Sequence, residues 1–467
     1  MNKSFFGVIG LGVMGKSISL NIADNGYSIA VYNRAEGNEA HVVQDFLTAH
    51  DSYTDLKGFT DLPTFVQSLE TPRKILMMIK AGGVVDTVID QLIPLLEDGD
   101  IIIDGGNSHF KDTARRSKLL LENNIHYVGC GVSGGEAGAR KGPSIMPGGS
   151  RSGYDVVAPV LDAIAAKDRN GVPCCAYIGP DGAGHFVKMI HNGIEYAEMQ
   201  LLAELYAILS QTMSYEEIAA LFDEWNKSDV SGYLLEITAT ILRRKEGDNY
   251  LLDLILDKAG NKGTGSWSGK AAFDLGASAI MMVSAVFARY VSSYKEQRKA
   301  LSTLLHTNTT PAGNIDLEML QNAYRFARMI NHHQGFEVIR RASEQYHWEL
   351  SFSEIARIWT NGCIIRSALM EESSLRFKEK DQLLDHEDII GFLHQNETVL
   401  SAILKYGLDN RIPIPAFSAA YTYWISMTTA RLPANMIQAQ RDYFGAHTYQ
   451  RTDAPEEQFF HTNWEAL

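Results

Sequence analysis

The sequence predicts an α/β protein: an N-terminal Rossmann-like, doubly wound parallel sheet, then a large all-α domain, then an extended C-terminal tail. Three observations predict it. In the first third, short apolar runs bounded by Gly, Pro, Asn or Asp alternate with helical stretches, the pattern of βαβ units. From "GAGHFVKMIHNGIEYAEMQLLAELYAILS" onward the periodicity is helical and β-rich runs are scarce. Past Pro433 the chain turns aromatic and polar and loses any compact period. The expected segments are therefore 1–178 for the sheet domain, 179–433 for the helical domain and 434–467 for the tail.

Taken in order, "SFFGVIG", "YSIAVYN", "KILMMIK", "DIIIDGG", "IHYVGCG" and "CCAYIGP" read as strands. A long helix is expected soon after Gly184. The tail carries Tyr443, Phe444, Tyr449, Phe459, Phe460 and Trp464, so it is expected to pack against something, such as another subunit.

Composition narrows the function. The 467 residues suffice for two or three domains, and 45% hydrophobic with 21% charged residues is an ordinary globular mix. A formal charge of −14 argues against nucleic-acid or anionic-membrane binding; an anionic small substrate would need a local basic cluster. The start, "MNKSFFGVIG", runs into a strand without a leader pattern, and "ASAIMMVSAVFARYV" meets Arg289 before it reaches bilayer length. Cys130, Cys174, Cys175 and Cys363 do not make a disulfide framework, and Cys174 and Cys175 read as small strand residues. His332–His333 has no flanking ligand pattern and reads as structural, so no metal site is expected. The chain reads as reduced, soluble and cytoplasmic.

The first strand leads into "GLGVMG", with Gly10, Gly12 and Gly15 in the Gly-x-Gly-x-x-Gly spacing that brings backbone close to a pyrophosphate at a helix N-terminus. A lone motif of this kind is weak; the strand before it and a second strand at 27–33 strengthen it. An NAD-binding domain usually ends that second strand in Asp or Glu, whereas this chain has Asn33 and Arg34. A guanidinium suits a 2′-phosphate, which favours NADP. The alternative is a surface arginine, with Glu36 taking the acidic role. Lys80 ends the strand "ILMMIK" and Asn107 follows the strand "DIIIDGG", and strand C-terminal ends face the ligand crevice in such a sheet.

"GVSGGEAGARKGPSIMPGG" offers the Ser133 hydroxyl and the backbone amides of Gly134 and Gly135 to a carboxylate. The plainer reading is a flexible loop. "NKGTGSWSG" joins Lys262 and Thr264 around a glycine, a set that suits a phosphate. Arg289 sits in an apolar helix, which calls for an anion or a salt-bridged acid beside it. "QRDYFGAH" adds Arg441 and His447. In "KMIHNGIEY", Lys188, His191, Asn192 and Glu195 fall on one helical stripe, while Met189, Ile190, Ile194 and Ala197 occupy the other faces.

These stretches, with "YNR", "DGGNS", "VFARY", "GCIIR" and "PANMIQAQRDYFGAHTY", occur in the order that resembles the 6-phosphogluconate dehydrogenase, decarboxylating family, from residue 5 nearly to the end. The helix and tail motifs separate it from the wider β-hydroxyacid dehydrogenase group. The resemblance implies Lys188 as base and acid and Glu195 as second acid. It implies Asn107, Ser133, Gly134, Gly135, His191 and Asn192 around the substrate's carboxylate and hydroxyls, and Tyr196, Lys262, Thr264 and Arg289 around its phosphate. Arg441 and His447 would reach that site from the partner subunit of a homodimer. NADP contacts are implied at Gly10, Leu11, Gly12, Val13, Met14, Gly15, Asn33, Arg34, Ala35, Lys80, Ala81 and Asn107. Two positions depart from the family pattern: Ala35 replaces a hydroxyl residue, and Ser266 replaces a lysine.

The implied reaction takes 6-phospho-D-gluconate to D-ribulose 5-phosphate and CO2 while reducing NADP, as in the pentose phosphate route or gluconate breakdown. A dehydrogenase for another short β-hydroxyacid would share the Rossmann motif and the lysine but not the phosphate set. A non-catalytic cofactor sensor would need neither Lys188 nor Glu195.

Overall fold

The computed structural model describes residues 2–260, 263–305, 313 and 315–465. The sheet has seven strands: β1 (Phe6–Ile9), β2 (Ile29–Tyr32), β3 (Leu56–Phe59), β4 (Lys74–Met77), β5 (Ile101–Asp104), β6 (His126–Ser133) and β7 (Ser144–Gly149). Their order is β3-β2-β1-β4-β5-β6-β7. Pairing is parallel from β3 through β6, and β7 is antiparallel to β6. The strands bury both faces. Phe6, Val8, Ile29, Val31, Ile101 and Ile103 join one core cluster, while Ile9, Ala30, Ile75, Met77 and Ile102 join the other. This is the near-continuous apolar pattern of a doubly covered parallel sheet.

Three segments depart from the strands read in the sequence. "CCAYIGP" forms no strand among the described residues and contributes only an isolated pairing of Cys175 with Ile145. Apolar content alone made it look like one. Its place at the sheet edge goes to "SIMPGG", which is β7; Pro147 is tolerated there because an edge strand does not need every amide. The segment "LKGF", too poor in apolar residues to stand out, is β3. The doubly wound parallel sheet is present, and β7 adds an antiparallel edge to it.

The helices that bear on the site are α1 (Val13–Asp24), α2 (Gly83–Leu92), α3 (Phe110–Leu121), α4 (Gly135–Lys141), α5 (Ala183–Leu209), α6 (Thr264–Asp274), α7 (Ile280–Ser293), α8 (Leu317–Tyr346) and α9 (Ala434–Gly445). At about 1.5 Å per residue, α5 is roughly 40 Å long. It packs on β6, β7, α6, α7 and α8. Its first turn lies very close to the sheet: a Cβ on Gly184 would sit 2.4 Å from the Met146 oxygen and 2.5 Å from that of Gly129. Farther along, a Cβ on Gly193 would strike Met282 and Ser268, and one on Gly335 would strike Ile194.

By contact, the chain divides into two compact units, Met1–Ala420 and Tyr421–Leu467. Within the second unit, the stretch past Pro433 that reads as an extended tail starts instead with the helix α9. Buried Asp442 ties that tail together. Its carboxylate accepts hydrogen bonds from the Thr448 and Thr462 amides (both 3.0 Å), His461 (2.9 Å) and the Trp464 indole (2.8 Å).

Candidate active site

The glycine turn forms as the motif requires. Gly10 has φ +98°, and Gly15 is pressed against the Gly10 oxygen so closely that no Cβ fits. Gly12 precedes α1 and has open space on its Cβ side, and no side chain caps the first amides of α1. Leu11 is buried, Val13 is exposed and Met14 is half-buried. The Leu11 amide donates to Asn33 Oδ1 (2.9 Å), which joins the turn to the end of β2. Arg34 is exposed but not free: its Nε meets Glu39 Oε2 at 2.8 Å, and Asn33 Nδ2 also reaches that carboxylate (3.3 Å). Glu39 is therefore the acid that Arg34 pairs with at this strand end. Ala35 is exposed beside it.

Strand order reverses between β1 and β4, the switch point where ligands bind in such sheets. Lys80 and Ala81 lie there, in the loop between β4 and α2 rather than at the strand's last residue. Asn107 is exposed in the next loop, between β5 and α3. It does not cap α3, whose N-cap is His109.

The polar stripe of α5 is intact and almost wholly buried. Lys188 is 7% exposed and His191 0%. Lys188 Nζ donates to Asn192 Oδ1 (2.8 Å) and lies 3.4 Å from His191 Nδ1, which is 3.7 Å from Glu195 Oε2. The other His191 nitrogen meets Ser133 Oγ at 3.1 Å. One imidazole therefore connects the end of β6 to both the lysine and the carboxylate. Burial lowers the pKa of Lys188, against the pull of Glu195. Burial raises that of Glu195, against Lys188 and Arg289. Burial and the Lys188 charge hold His191 well below an ordinary histidine, so it is neutral. Burial thus draws the pKa values of this lysine and this carboxyl toward each other, the direction that a base and an acid on one helix would need.

The remaining expected residues are placed unequally. Ser133 ends β6, Gly134 has φ +116° before α4, and Gly135 opens that helix. Arg289 is half-buried rather than buried. Its guanidinium stacks 3.6 Å from the Tyr196 ring centre and donates to the Gly260 oxygen (3.0 Å), in place of the salt bridge considered from sequence. Gly265 lets α6 approach that tyrosine, since a Cβ there would lie 2.3 Å from the ring. Thr264 begins α6, and Ser266 bonds the Gly263 oxygen (2.7 Å). Lys262 lies outside the described residues. Arg441 and His447 are exposed in the second unit.

A small cleft beside Lys188 is lined by Asn107, Ser108, His185, Met189, Asn192 and Trp267. Sequence reasoning missed Ser108, His185, Met189 and Trp267. His185 had a signal, since it stands three residues before Lys188 on the same stripe.

The sheet, the glycine turn at its switch point and the buried lysine and carboxyl of α5 define a Rossmann-type oxidoreductase. Residues 5–179 match the model of the NAD binding domain of 6-phosphogluconate dehydrogenase, and 184–464 match that of its C-terminal domain. The chain belongs to the 6-phosphogluconate dehydrogenase family. It is 46% identical to 6-phosphogluconate dehydrogenase, decarboxylating, of Salmonella typhimurium, across 99% of this chain and 100% of that one. It is 47% identical to the NADP(+)-dependent, decarboxylating enzyme of Bacillus subtilis, with the same coverage. A Plasmodium falciparum 6-phosphogluconate dehydrogenase, whose structures include complexes with NADP+ and 6-phosphogluconate, superposes with a TM-score of 0.93 at 39% identity, covering 98% of this chain and 100% of that one.

The opposed influences on Lys188 give a direct expectation. Glu195 favours the ammonium, so Glu195→Gln lowers the Lys188 pKa further below that of an ordinary lysine. A pH titration of protein labelled with ¹³C at lysine Cε, with Lys188→Met to assign the signal, measures it. A Lys188 pKa unmoved or raised by Glu195→Gln contradicts this electrostatic picture.

Proposed function

We propose that this chain oxidises 6-phospho-D-gluconate with NADP and releases CO2, giving D-ribulose 5-phosphate and NADPH. The observation that carries the reading is the buried Lys188 facing Asn192 and His191, with Glu195 two turns along the same helix. The comparisons point the same way: a close relative is named as NADP-dependent and decarboxylating, and a close structural neighbour was solved with both NADP+ and 6-phosphogluconate.

NADP fits the β1–α1 end. The uncapped amides of α1 and the open side of Gly12 suit its pyrophosphate, and Asn33 and Arg34 suit its adenosine 2′-phosphate. Bound there, NADP supplies the hydride acceptor. The chain's residues do the rest. An exposed lysine of pKa about 10.4 is neutral in roughly one molecule in a thousand near pH 7.4. Burial enlarges that fraction for Lys188, which takes the C3 hydroxyl proton as hydride leaves C3. The 3-keto acid then loses CO2, and protonated Lys188 stabilises the charge that grows on the C3 oxygen. Glu195, whose carboxyl burial biases toward the protonated form, gives a proton to C1 of the resulting enediol as Lys188 takes the proton of the former C3 hydroxyl. The proton lost from O3 is balanced by the one gained at C1. Ser133, Gly134, Gly135, Asn107, His191 and Asn192 hold the carboxylate and hydroxyls, and Tyr196, Lys262, Thr264 and Arg289 the phosphate.

We assign residues 1–178 to cofactor binding, 179–433 to substrate binding and dimerisation, and 434–467 to a tail that brings Arg441 and His447 to the substrate phosphate of the partner in a homodimer. The support is apolar exposure: Tyr443, Phe444 and Phe459 in the second unit, and Phe287 and Val291 on α7, are all more than half exposed in the single chain. Four free, buried cysteines accord with a cytoplasmic setting.

Purified protein given 6-phosphogluconate and NADP should form NADPH and CO2 in equal amounts; NADPH without CO2, or equal turnover of unphosphorylated gluconate, would contradict the reading. The Arg34–Glu39 pair sets the cofactor expectation. Glu39→Gln should release Arg34 and lower KM for NADP roughly two- to fivefold, the scale of an exposed pair, and Arg34→Ala should raise it at least about tenfold. Equal kcat/KM for NAD and NADP in all three proteins would rule this out. For the tail, removal of residues 434–467 should abolish turnover and shift sedimentation from dimer toward monomer. A truncated monomer of full activity would refute the shared site.

A further inference from the structure

Beneath the turn that carries Asn107 lies a set of buried polar groups that the proposed chemistry leaves unused. On the sheet side, Asp104 at the end of β5 accepts hydrogen bonds from the Gly106 amide (3.0 Å), Ser108 Oγ (2.6 Å) and Tyr127 Oη (2.8 Å). Arg116 of α3, itself 0% exposed, lies 3.7 Å from Asp104 and is held by two 2.9 Å bonds to Asp86. It also donates to the Gly82 oxygen (2.9 Å), so the Lys80–Gly82 loop and the Asn107 turn share one anchor.

From the helical side comes His185, one turn before Lys188 on α5 and 2% exposed. Its Nδ1 lies 2.7 Å from Thr113 Oγ1, while Thr113 is 3.3 Å from the His109 oxygen. The Asp104 and Gly106 carbonyls that act on the ring can only accept, which places the ring proton on Nε2 and makes Nδ1 the acceptor of the Thr113 hydroxyl. Nε2 is buried and has no hydrogen-bond partner. Space for this pair is built into the sheet: a Cβ on Gly129 would lie 2.4 Å from Thr113 Cγ2 and 3.0 Å from His185 Nδ1. The backbone of Asp104 and Gly106 acts on the ring, which burial keeps neutral. His185 also lines the cleft shared by Asn107, Lys188 and Asn192. A buried donor left unpaired at such a place is costly unless it is used.

We propose that His185 is a positioning residue for Asn107: oriented by Thr113, its Nε2–H closes onto the Gly106 carbonyl when the cleft is filled and fixes the peptide from which Asn107 reaches the substrate. This rests on the dehydrogenase reading above. It differs from a packing role because it couples His185 to one particular side chain. It also explains why α5 presents polar groups from its first turn, a turn ahead of the base.

The test is a double-mutant cycle on the full-length protein with 6-phosphogluconate and NADP. His185→Leu keeps bulk and removes the donor; it should lower kcat about tenfold or more, the scale of a small misplacement of a reacting group. His185→Gln, whose amide N–H can replace Nε2–H, should recover most of that loss. In an Asn107→Ala background, His185→Leu should change kcat less than about twofold, because the residue it positions is gone. Thr113→Val, which frees the ring, should show the same coupling and serves if His185→Leu does not fold. The same fold-loss in both backgrounds, or a glutamine no better than leucine, would overturn the proposal. Wild-type protein that does not release CO2 from 6-phosphogluconate would instead overturn the functional reading itself.

Discussion

The ammonium of Lys188 is buried because α5 lies against β6 and β7 with almost no space between them. Gly184 on the helix faces the Met146 and Gly129 oxygens, and Gly131 on the sheet leaves room for the stem of Lys188, whose Cβ would be 2.4 Å from a Cβ at 131. Larger residues at these positions would lift the helix and let water reach the lysine. Desolvation is the largest influence on Lys188, Glu195 and His191 alike. The close approach of helix and sheet therefore shifts the lysine and the glutamate in the directions that the proposed base and acid require.

The same contact orders the residues around them. His191 has one nitrogen on Ser133 at the end of β6 and the other near Lys188 and Glu195, so one imidazole links the sheet to the two groups proposed as base and acid. Asn192 accepts from Lys188 and holds its amine in place. On the other side of the cleft, Asp104 and Arg116 tie the Asn107 turn to the loop after β4. The carbon oxidised, C3 of 6-phosphogluconate, and the carbon protonated, C1 of ribulose 5-phosphate, are in the proposed reaction served from one helix, by residues two turns apart.

Much of this was legible in the sequence. Strands buried on both faces announce themselves as apolar runs, which is why β1, β2, β4, β5 and β6 were found. The polar stripe of α5 stood out because it reverses the usual pattern of a helix face. What failed has physical reasons. The edge strand β7 is rich in glycine and contains proline, so it read as loop, and "CCAYIGP" has strand composition but only one bridging residue. Glu39 was invisible because the turn that brings it onto Arg34 has no periodic signature. Ser108 and Trp267 depend on tertiary contact between loops and helices distant in sequence. The stacking of Arg289 on Tyr196 likewise joins two helices that no local pattern relates.

The central claim is that one buried helix divides the chemistry between Lys188 and Glu195, and isotope incorporation from solvent tests it most directly. In deuterated or tritiated water, label entering C1 of ribulose 5-phosphate is followed alongside NADPH formation in wild type, Lys188→Met and Glu195→Gln. The account predicts that Lys188→Met forms almost no NADPH although it still binds substrate. It predicts that Glu195→Gln still oxidises, while label enters C1 slowly and the enediol persists. Wild-type label incorporation by Glu195→Gln together with NADP reduction by Lys188→Met would contradict it, and the stripe would then be only a binding wall.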